Sequence, residues 1–498
     1  MFEGASLSFS ELNERSNRWA NSFNDLGLNK GERVGILMLN RSEFLEAFFG
    51  LAKIGAILVP LNVRLAPPEL EAVCRGSAMR SLIFDTDFTQ VVETIQPNLH
   101  VRDYVSIGKD SPGWAKNEDF IGQYADDEPK IVGGGNDPAV ILYTSGTSGY
   151  PCSVVRDHLS FLWLSAGLMA TSDYPSEERA LVSVPLYHGW GLNFVVTAVH
   201  RGGTTILMSA FEALHALETI RQEKVSAMLV VPRMLQQLEL VPSFETYLNS
   251  LRTLETFQAL PRELEKWLKQ GITVRHGYGL TEAGYVTITS SADAANPNSE
   301  GQPLFCTEVR IVNDDGADAP PGEVGEILVK GPTVMKEYWG DREATYQAIM
   351  GGWLHTGDLG KLGEDDLLYV AGRKKDLIKS GGESIYPAEV EKVLSLHREV
   401  LDVAVVGRRD AVWGERVCAI IRFKEGTSVT LKDMVAFCDG KIAPYKMPKE
   451  LILTKTPLPR DSNGKLLRSV LRDRLNGDGE SVLRHFLEEP MSSVKATS

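Results

Sequence analysis

Tyr143-Thr144-Ser145-Gly146-Thr147-Ser148-Gly149-Tyr150-Pro151 follows directly on Ala139-Val140-Ile141-Leu142. The four apolar residues read as a buried strand. The stretch behind them is glycine and small hydroxyls. Glycines let backbone N–H groups approach an anion closely and hydroxyls add donors, so the loop suits a phosphate. It is not a Walker A loop, which needs Gly-x4-Gly-Lys-Ser/Thr. Read alone, it is better taken as a polar surface turn.

Three further stretches argue for the phosphate reading: Gly277-Tyr278-Gly279-Leu280-Thr281-Glu282, Trp353-Leu354-His355-Thr356-Gly357-Asp358 and Pro459-Arg460-Asp461-Ser462-Asn463-Gly464-Lys465. In order and spacing, the four together resemble the AMP-forming adenylate enzymes: acyl- and aryl-CoA synthetases, peptide-synthetase adenylation domains and firefly-type luciferases. The resemblance spans roughly residues 1–475 and is nearest to an acyl-CoA synthetase.

Alternating helix and strand patterns point the same way. Ser10 to Leu26 carries apolar residues at helical spacing, Arg33 to Leu39 reads as a strand, Glu43 to Ile54 as a helix and Ala56 to Val59 as a strand. That rhythm predicts βαβ units and a mostly parallel sheet covered by helices. After Gly301 short strands between Gly/Asp/Pro turns predict a β-rich subdomain. Beyond Lys375 a compact α+β pattern begins. The expected fold is therefore α/β. A large N-terminal domain of βαβ layers with a β-rich subdomain (1–374) precedes a small mobile α+β C-terminal domain (375–475) and a polar tail (476–498).

Composition narrows the partners. The chain has 498 residues, 43% hydrophobic and 24% charged, as in an ordinary globular enzyme. A formal net charge of −14 without a basic stripe disfavours nucleic acid. The five cysteines are odd in number and form no C-x-x-C pair, so neither a disulfide framework nor a zinc site is expected, and a reducing cytoplasm is. No stretch is apolar enough to span a bilayer, and neither a signal peptide nor a C-terminal Ser-Lys-Leu is expected. The N-terminal edge begins near a segment that relatives enter later, so it is expected to be shortened.

The resemblance implies a reaction. A carboxylic acid attacks the α-phosphate of ATP, pyrophosphate leaves, and the acyl-adenylate passes its acyl group to coenzyme A. A carboxylate is already ionised at neutral pH, so no general base is needed, and positioning and cations carry the step. By resemblance, Thr144, Ser145, Gly146, Thr147, Ser148 and Gly149 cradle the phosphates. Tyr278 and Gly279 lie against the adenine, Thr281 contacts the α-phosphate, and Glu282 holds Mg2+, whose preference for hard oxygen suits a carboxylate. Asp358 accepts from the ribose hydroxyls, and Arg373 donates to the ribose or phosphate side. Lys465 bridges carboxylate and α-phosphate. Lys375 is the hinge, after whose rotation Gly381 and Gly382 face the thiol channel. His188, in Pro185-Leu186-Tyr187-His188, gates the acyl pocket, and Trp190, Leu192 and Phe194 suggest that the pocket is apolar, for fatty or aromatic acids.

Each has a plainer reading: a packed histidine beside Trp190, a cap or turn at Asp358, solvated charges at Arg373 and Lys465. Gly381-Gly382-Glu383-Ser384-Ile385 also fits the pattern around a carrier-protein serine, but it continues into Tyr386-Pro387-Ala388-Glu389 as in the ligases.

Two departures stand out. Cys152 and Ser153 occupy the places where the family has lysine and glycine, which removes a cation from the β/γ-phosphates; Arg156 is near enough in sequence to substitute. Thr256-Phe257-Gln258-Ala259 replaces a Gly-rich run beside the adenine, where Phe257 is expected to crowd the ligand. They support the rival reading of a degenerate adenylate-binding scaffold without turnover. The other rival is an amino- or aryl-acid adenylation enzyme with another acceptor. An amino-acid enzyme needs an acid near the pocket, and His188-Gly189-Trp190-Gly191-Leu192-Asn193 offers none.

Overall fold

The computed structural model describes residues 1–108, 115–116, 121–144, 152–171, 178–257, 261–290, 296, 298–427, 429–460 and 466–476, of which 115–116 and 261–263 are described by their backbone only. The chain divides into two compact units. The first comprises Met1–Ala259, Glu265–Val309 and Val329–His355, and the second Leu260–Leu264, Arg310–Leu328 and Thr356–Ser498.

The first unit is built on two sheets. In the larger, Arg33–Leu37 lies between Ile57–Pro60 and Ser81–Asp85, with Asp103–Ile107 beyond, all parallel. Pro138–Thr144 adds to Ile57–Pro60, and Cys152–Asp157 returns antiparallel beside it. The register sets Thr144 opposite Cys152, so the two flanks of the phosphate-loop stretch face each other across a strand pair. The second sheet is wholly parallel, in the order Thr273–His276, Thr253–Thr256, Ala227–Leu229, Arg179–Val182, Thr204–Leu207.

Parallel strands need crossovers, and the helices supply them. Ser8 caps the helix Phe9–Asp25 in a reciprocal capping box with Glu11. The helix Ser42–Ile54 ends at Gly55 in the left-handed conformation (φ 71°) that glycine adopts without strain. Leu37, Val59, Phe84, Ile141 and Val155 are buried against Leu70 and Val73 of the helix Pro67–Ser77. Each such side chain contributes about 1.5–3 kcal/mol of burial.

In the second unit, the strand Val400–Asp410 pairs along its length with Gly414–Phe423. Alternation sends its side chains to both faces. Val403 and Val405 pack with Val390, Leu394, Met434 and Cys438 of the helices Pro387–Ser395 and Leu431–Cys438. Ala404 and Val406 pack with Leu458, Leu471 and Leu475, the last two from the helix Arg468–Asn476. The Trp353–Asp358 motif lies on a ten-residue strand, Trp353–Leu362, rather than in a turn.

Candidate active site

In the first unit, the segment carrying Tyr278, Thr281 and Glu282 is a tight hairpin. Gly279–Leu280 pairs antiparallel with Gly284–Tyr285, leaving Thr281, Glu282 and Ala283 as a three-residue loop. The Ala283 N–H donates to the Leu280 carbonyl at 3.1 Å and closes it. Gly284 takes φ 69°, which a side chain would strain, and a Cβ there would also meet Leu164 Cδ2 at 2.7 Å. The Tyr278 N–H donates to Thr287 Oγ1 at 3.2 Å, and Tyr278 itself is only 8% exposed.

Three groups hold the hairpin tip. The Met335 N–H donates to the Glu282 carbonyl at 2.6 Å. Tyr338 Oη donates to Glu282 Oε1 at 2.9 Å. Arg156 Nη1 reaches the Thr281 carbonyl at 3.5 Å. Arg156 is 1% exposed; its Nε donates to Ser160 Oγ at 3.0 Å and its guanidinium stacks 5.3 Å from the Phe161 ring. Burial pushes its pKa down to about 10, against the opposing pull of Asp157 and Glu282. The expected substitute for the loop lysine is thus a buried brace beneath Thr281.

Cys152 is half-buried. Burial, and after it the charges of Glu282 and Asp341, push its thiol pKa up. The position where the family keeps a cation therefore feels two carboxylates. Thr144 ends the strand opposite Cys152. Ser145, Gly146, Thr147, Ser148 and Gly149 lie outside the described residues, as does Lys465.

His188 precedes the helix Gly189–His200, and its carbonyl accepts from the Leu192 N–H at 3.2 Å. The imidazole lies 4.7 Å from the Tyr187 ring. Trp190 stacks on Phe257 with centroids 4.5 Å apart and planes at 21°, and meets Tyr285 edge-on at 4.2 Å. A Cβ on Gly279 would lie 2.5 Å from the Trp190 ring, so only glycine admits the indole there. The Phe257 ring, expected to crowd the adenine, stacks on Trp190. Leu192 and Phe194 are buried in the same helix.

In the second unit, Asp358 and Arg373 are register partners on adjacent antiparallel strands. Arg373 Nε lies 2.6 Å from Asp358 Oδ1, and the Asp358 N–H donates to Thr356 Oγ1 at 3.0 Å. Asp358 is only 5% exposed. Lys375 lies in the single turn Lys374–Asp376, where its carbonyl accepts from Arg472 Nη1 at 2.9 Å. Burial lowers its ammonium pKa, aided by Arg373 and Arg472 and opposed by Asp376 and Asp358.

Gly381 and Gly382 form a two-residue turn between Ile378–Ser380 and Glu383–Ile385, with φ of 62° and 86°. Two positive φ values in succession are what such hairpin turns favour, and they explain the glycine pair. Arg460 and Leu466 bridge each other on either side of 461–465, and Arg460 Nη2 binds Asp402 Oδ1 at 2.7 Å.

Sequence reasoning missed Tyr338, Arg156 in its bracing position, and the Trp190–Phe257–Tyr285 contact. The single signal was the place of Phe257 in an otherwise Gly-rich segment.

One carboxylate on a braced hairpin tip fits Mg2+, which is held by one or two carboxylates together with substrate phosphates. Among the described residues no three His, Cys, Asp or Glu side chains gather as a complete metal cage. These features define an adenylate-forming enzyme. The family model for AMP-binding enzymes matches residues 1–339, and that for the AMP-binding enzyme C-terminal domain matches 389–465. The chain belongs to the AMP-binding enzyme family.

It is 36% identical over 477 residues to a feruloyl-CoA synthase from Amycolatopsis sp., covering 95% of this chain and 94% of that one. A long-chain-fatty-acid–CoA ligase of Mycobacterium tuberculosis is likewise 36% identical, over 94% of this chain and 93% of its own. The crystal structure of an anthranilate CoA ligase in complex with anthranoyl-AMP superposes with a TM-score of 0.88 at 27% identity, covering 95% and 93% of the two chains. The protein is an AMP-forming acid–thiol ligase of the acyl-CoA synthetase type, acting on a carboxylic acid with ATP, Mg2+ and coenzyme A. Among the described residues no helix is long and apolar enough to cross a membrane.

Proposed function

We propose that the acid is apolar, with aromatic acids favoured over long acyl chains. The observation that carries this is the Trp190–Phe257–Tyr285 group, in which two rings lie within 4.5 Å of Trp190, joining the His188 segment to the Thr281–Glu282 hairpin. Rings favour offset or edge contacts with another ring and offer flat area rather than a long tube. The feruloyl- and anthranilate-activating relatives support the same class.

In this reading an acid oxygen forms a bond to the α-phosphorus and pyrophosphate leaves with the electrons of the broken P–O bond. Thr281 contacts the α-phosphate from the hairpin tip. Lys465 bridges the two anions. Asp358 receives the ribose hydroxyls beside Arg373. Glu282 would hold Mg2+, which when bound would neutralise charge on the phosphates. The residues from Lys375 to 475 then turn about Lys375, the CoA thiol gives its proton to water and bonds through sulfur to the acyl carbon, and AMP leaves with the electrons of the broken acyl carbon–oxygen bond. His188 borders the acid. A cytoplasmic setting is supported by five cysteines that all lack a disulfide.

The test is a panel of cinnamic, benzoic, indole-acetic and straight-chain acids, assayed for AMP and thioester formation with CoA. Aromatic acids are expected to give the highest kcat/KM. A maximum at chains of twelve carbons or more would overturn the aromatic preference.

A further inference from the structure

We propose that Tyr338 is a positioning residue for the Glu282 carboxylate. The inference rests on the reading of Glu282 as the magnesium carboxylate, and adds what aims it.

Tyr338 comes from an edge strand, Glu337–Tyr338, more than fifty residues beyond the hairpin. That strand pairs antiparallel with Cys152–Asp157, placing Tyr338 opposite Val154. The strand Cys152–Asp157 is also the one that continues from the phosphate-loop stretch. Main-chain bonds fix Tyr338 on both sides. The Lys336 N–H donates to the Val155 carbonyl at 2.9 Å and the Trp339 N–H to the Ser153 carbonyl at 2.7 Å. The Tyr338 N–H donates to Thr345 Oγ1 at 2.9 Å, on a helix capped by Asp341.

From this anchored backbone the phenol reaches back to Glu282 Oε1 at 2.9 Å. The same segment delivers the Met335 N–H to the Glu282 carbonyl. Backbone and side chain of Glu282 are thus clamped by one stretch of chain. A glutamate carboxylate has two equivalent oxygens on a side chain with three torsions, and a donor on Oε1 selects one orientation. Outer hydrogen bonds of this kind orient metal-binding carboxylates, and their loss costs about 10–100-fold in metal affinity.

The experiment is Tyr338→Phe, which deletes one oxygen. ATP binding is measured calorimetrically against Mg2+ concentration without acid or CoA, beside thermal melting in Mg2+-free buffer. The Mg2+ needed for half-maximal ATP binding should rise about 10-fold. Tyr338→Gln, which restores a donor, should recover part of the shift. Glu282→Gln is the reference and should move the same midpoint at least as far. If Glu282→Gln moves it and Tyr338→Phe does not, the positioning role is wrong and the metal reading stands. If neither moves it, Glu282 is not the metal carboxylate. A lowered melting point with an unmoved Mg2+ midpoint makes Tyr338 merely structural. Should Tyr338→Phe fail to fold, the Mg2+ midpoint of Tyr338→Leu, which also lacks the donor, decides: a wild-type value overturns the proposal.

Discussion

Trp190 lies face to face with Phe257, centroids 4.5 Å apart and planes at 21°, while its indole edge abuts the bare backbone of Gly279. Three segments far apart in the chain thereby meet on one ring. In the proposed reading the indole occupies volume that a longer acid would need. Trp190→Ala should shift preference toward bulkier or longer acids, raising their kcat/KM relative to a small aromatic acid by about 10-fold, the scale for a few methylenes of apolar contact. Competition between a benzoic acid and a long-chain acid reads the ratio directly. An unchanged ratio with a uniform loss of activity would place Trp190 in packing alone.

Cys152 stands where a lysine is expected, and the nearby charges of Glu282 and Asp341 add to burial in raising its thiol pKa. A neutral thiol is thus favoured there, and so is a cation. Arg156 does not fill the gap, because its guanidinium is buried on Ser160 and Thr281. Cys152→Lys should lower the KM for ATP by roughly 10-fold, about 1.4 kcal/mol, with little change in melting temperature. Initial rates across ATP concentrations at saturating acid decide it. An unchanged KM would mean that another cation already serves the β/γ-phosphates.

Asp358 and Arg373 face each other across two strands, 2.6 Å apart, with Asp358 almost fully buried. Asp358→Asn keeps the shape and removes the charge. It should raise the KM for ATP about 10-fold through weaker acceptance from the ribose hydroxyls, and lower stability by about 1–3 kcal/mol as Arg373 loses its partner. Replacing ATP by its 2′-deoxy analogue should then cost the variant less than the wild type. An equal cost in both would sever Asp358 from the ribose.

Much of the fold was legible because apolar periodicity is local. The helix expected over Ser10 to Leu26 is Phe9–Asp25, and the strand expected over Arg33 to Leu39 is Arg33–Leu37. The segment carrying Thr281 and Glu282 is marked by its glycines, while its closure as a hairpin through Gly284 is not. What escaped notice depends on distant pairing. Tyr338 sits in a two-residue edge strand too short for a periodic signal, and its partner is 56 positions away. Arg156 reads in the sequence only as a substitute for the loop lysine, because nothing local shows that its strand lies between two others. Gly381-Gly382 drew attention as a motif, while its plain structural task, a two-residue turn, went unread.

The last prediction separates the two half-reactions. Arg460 and Leu466, the described residues on either side of Lys465 in the sequence, bridge each other, and Lys375 begins the segment proposed to rotate. If Lys465 bridges carboxylate and α-phosphate, Lys465→Ala should cut acyl-adenylate formation by roughly 10²–10³, the scale for one preorganised charge donor. Conversion of ready-made acyl-adenylate to the CoA thioester should persist, because the rotation has by then withdrawn the lysine. Lys375→Pro should do the reverse. Proline fixes φ near −65° and so resists a change of backbone angle at the hinge. Adenylation should remain within about threefold of wild type while thioester formation falls at least 10-fold, as expected when a conformational step becomes limiting. Pyrophosphate release without CoA reports the first step, and thioester formed from synthetic acyl-adenylate reports the second. Equal, small effects of both variants on both steps would sink the two-conformation mechanism.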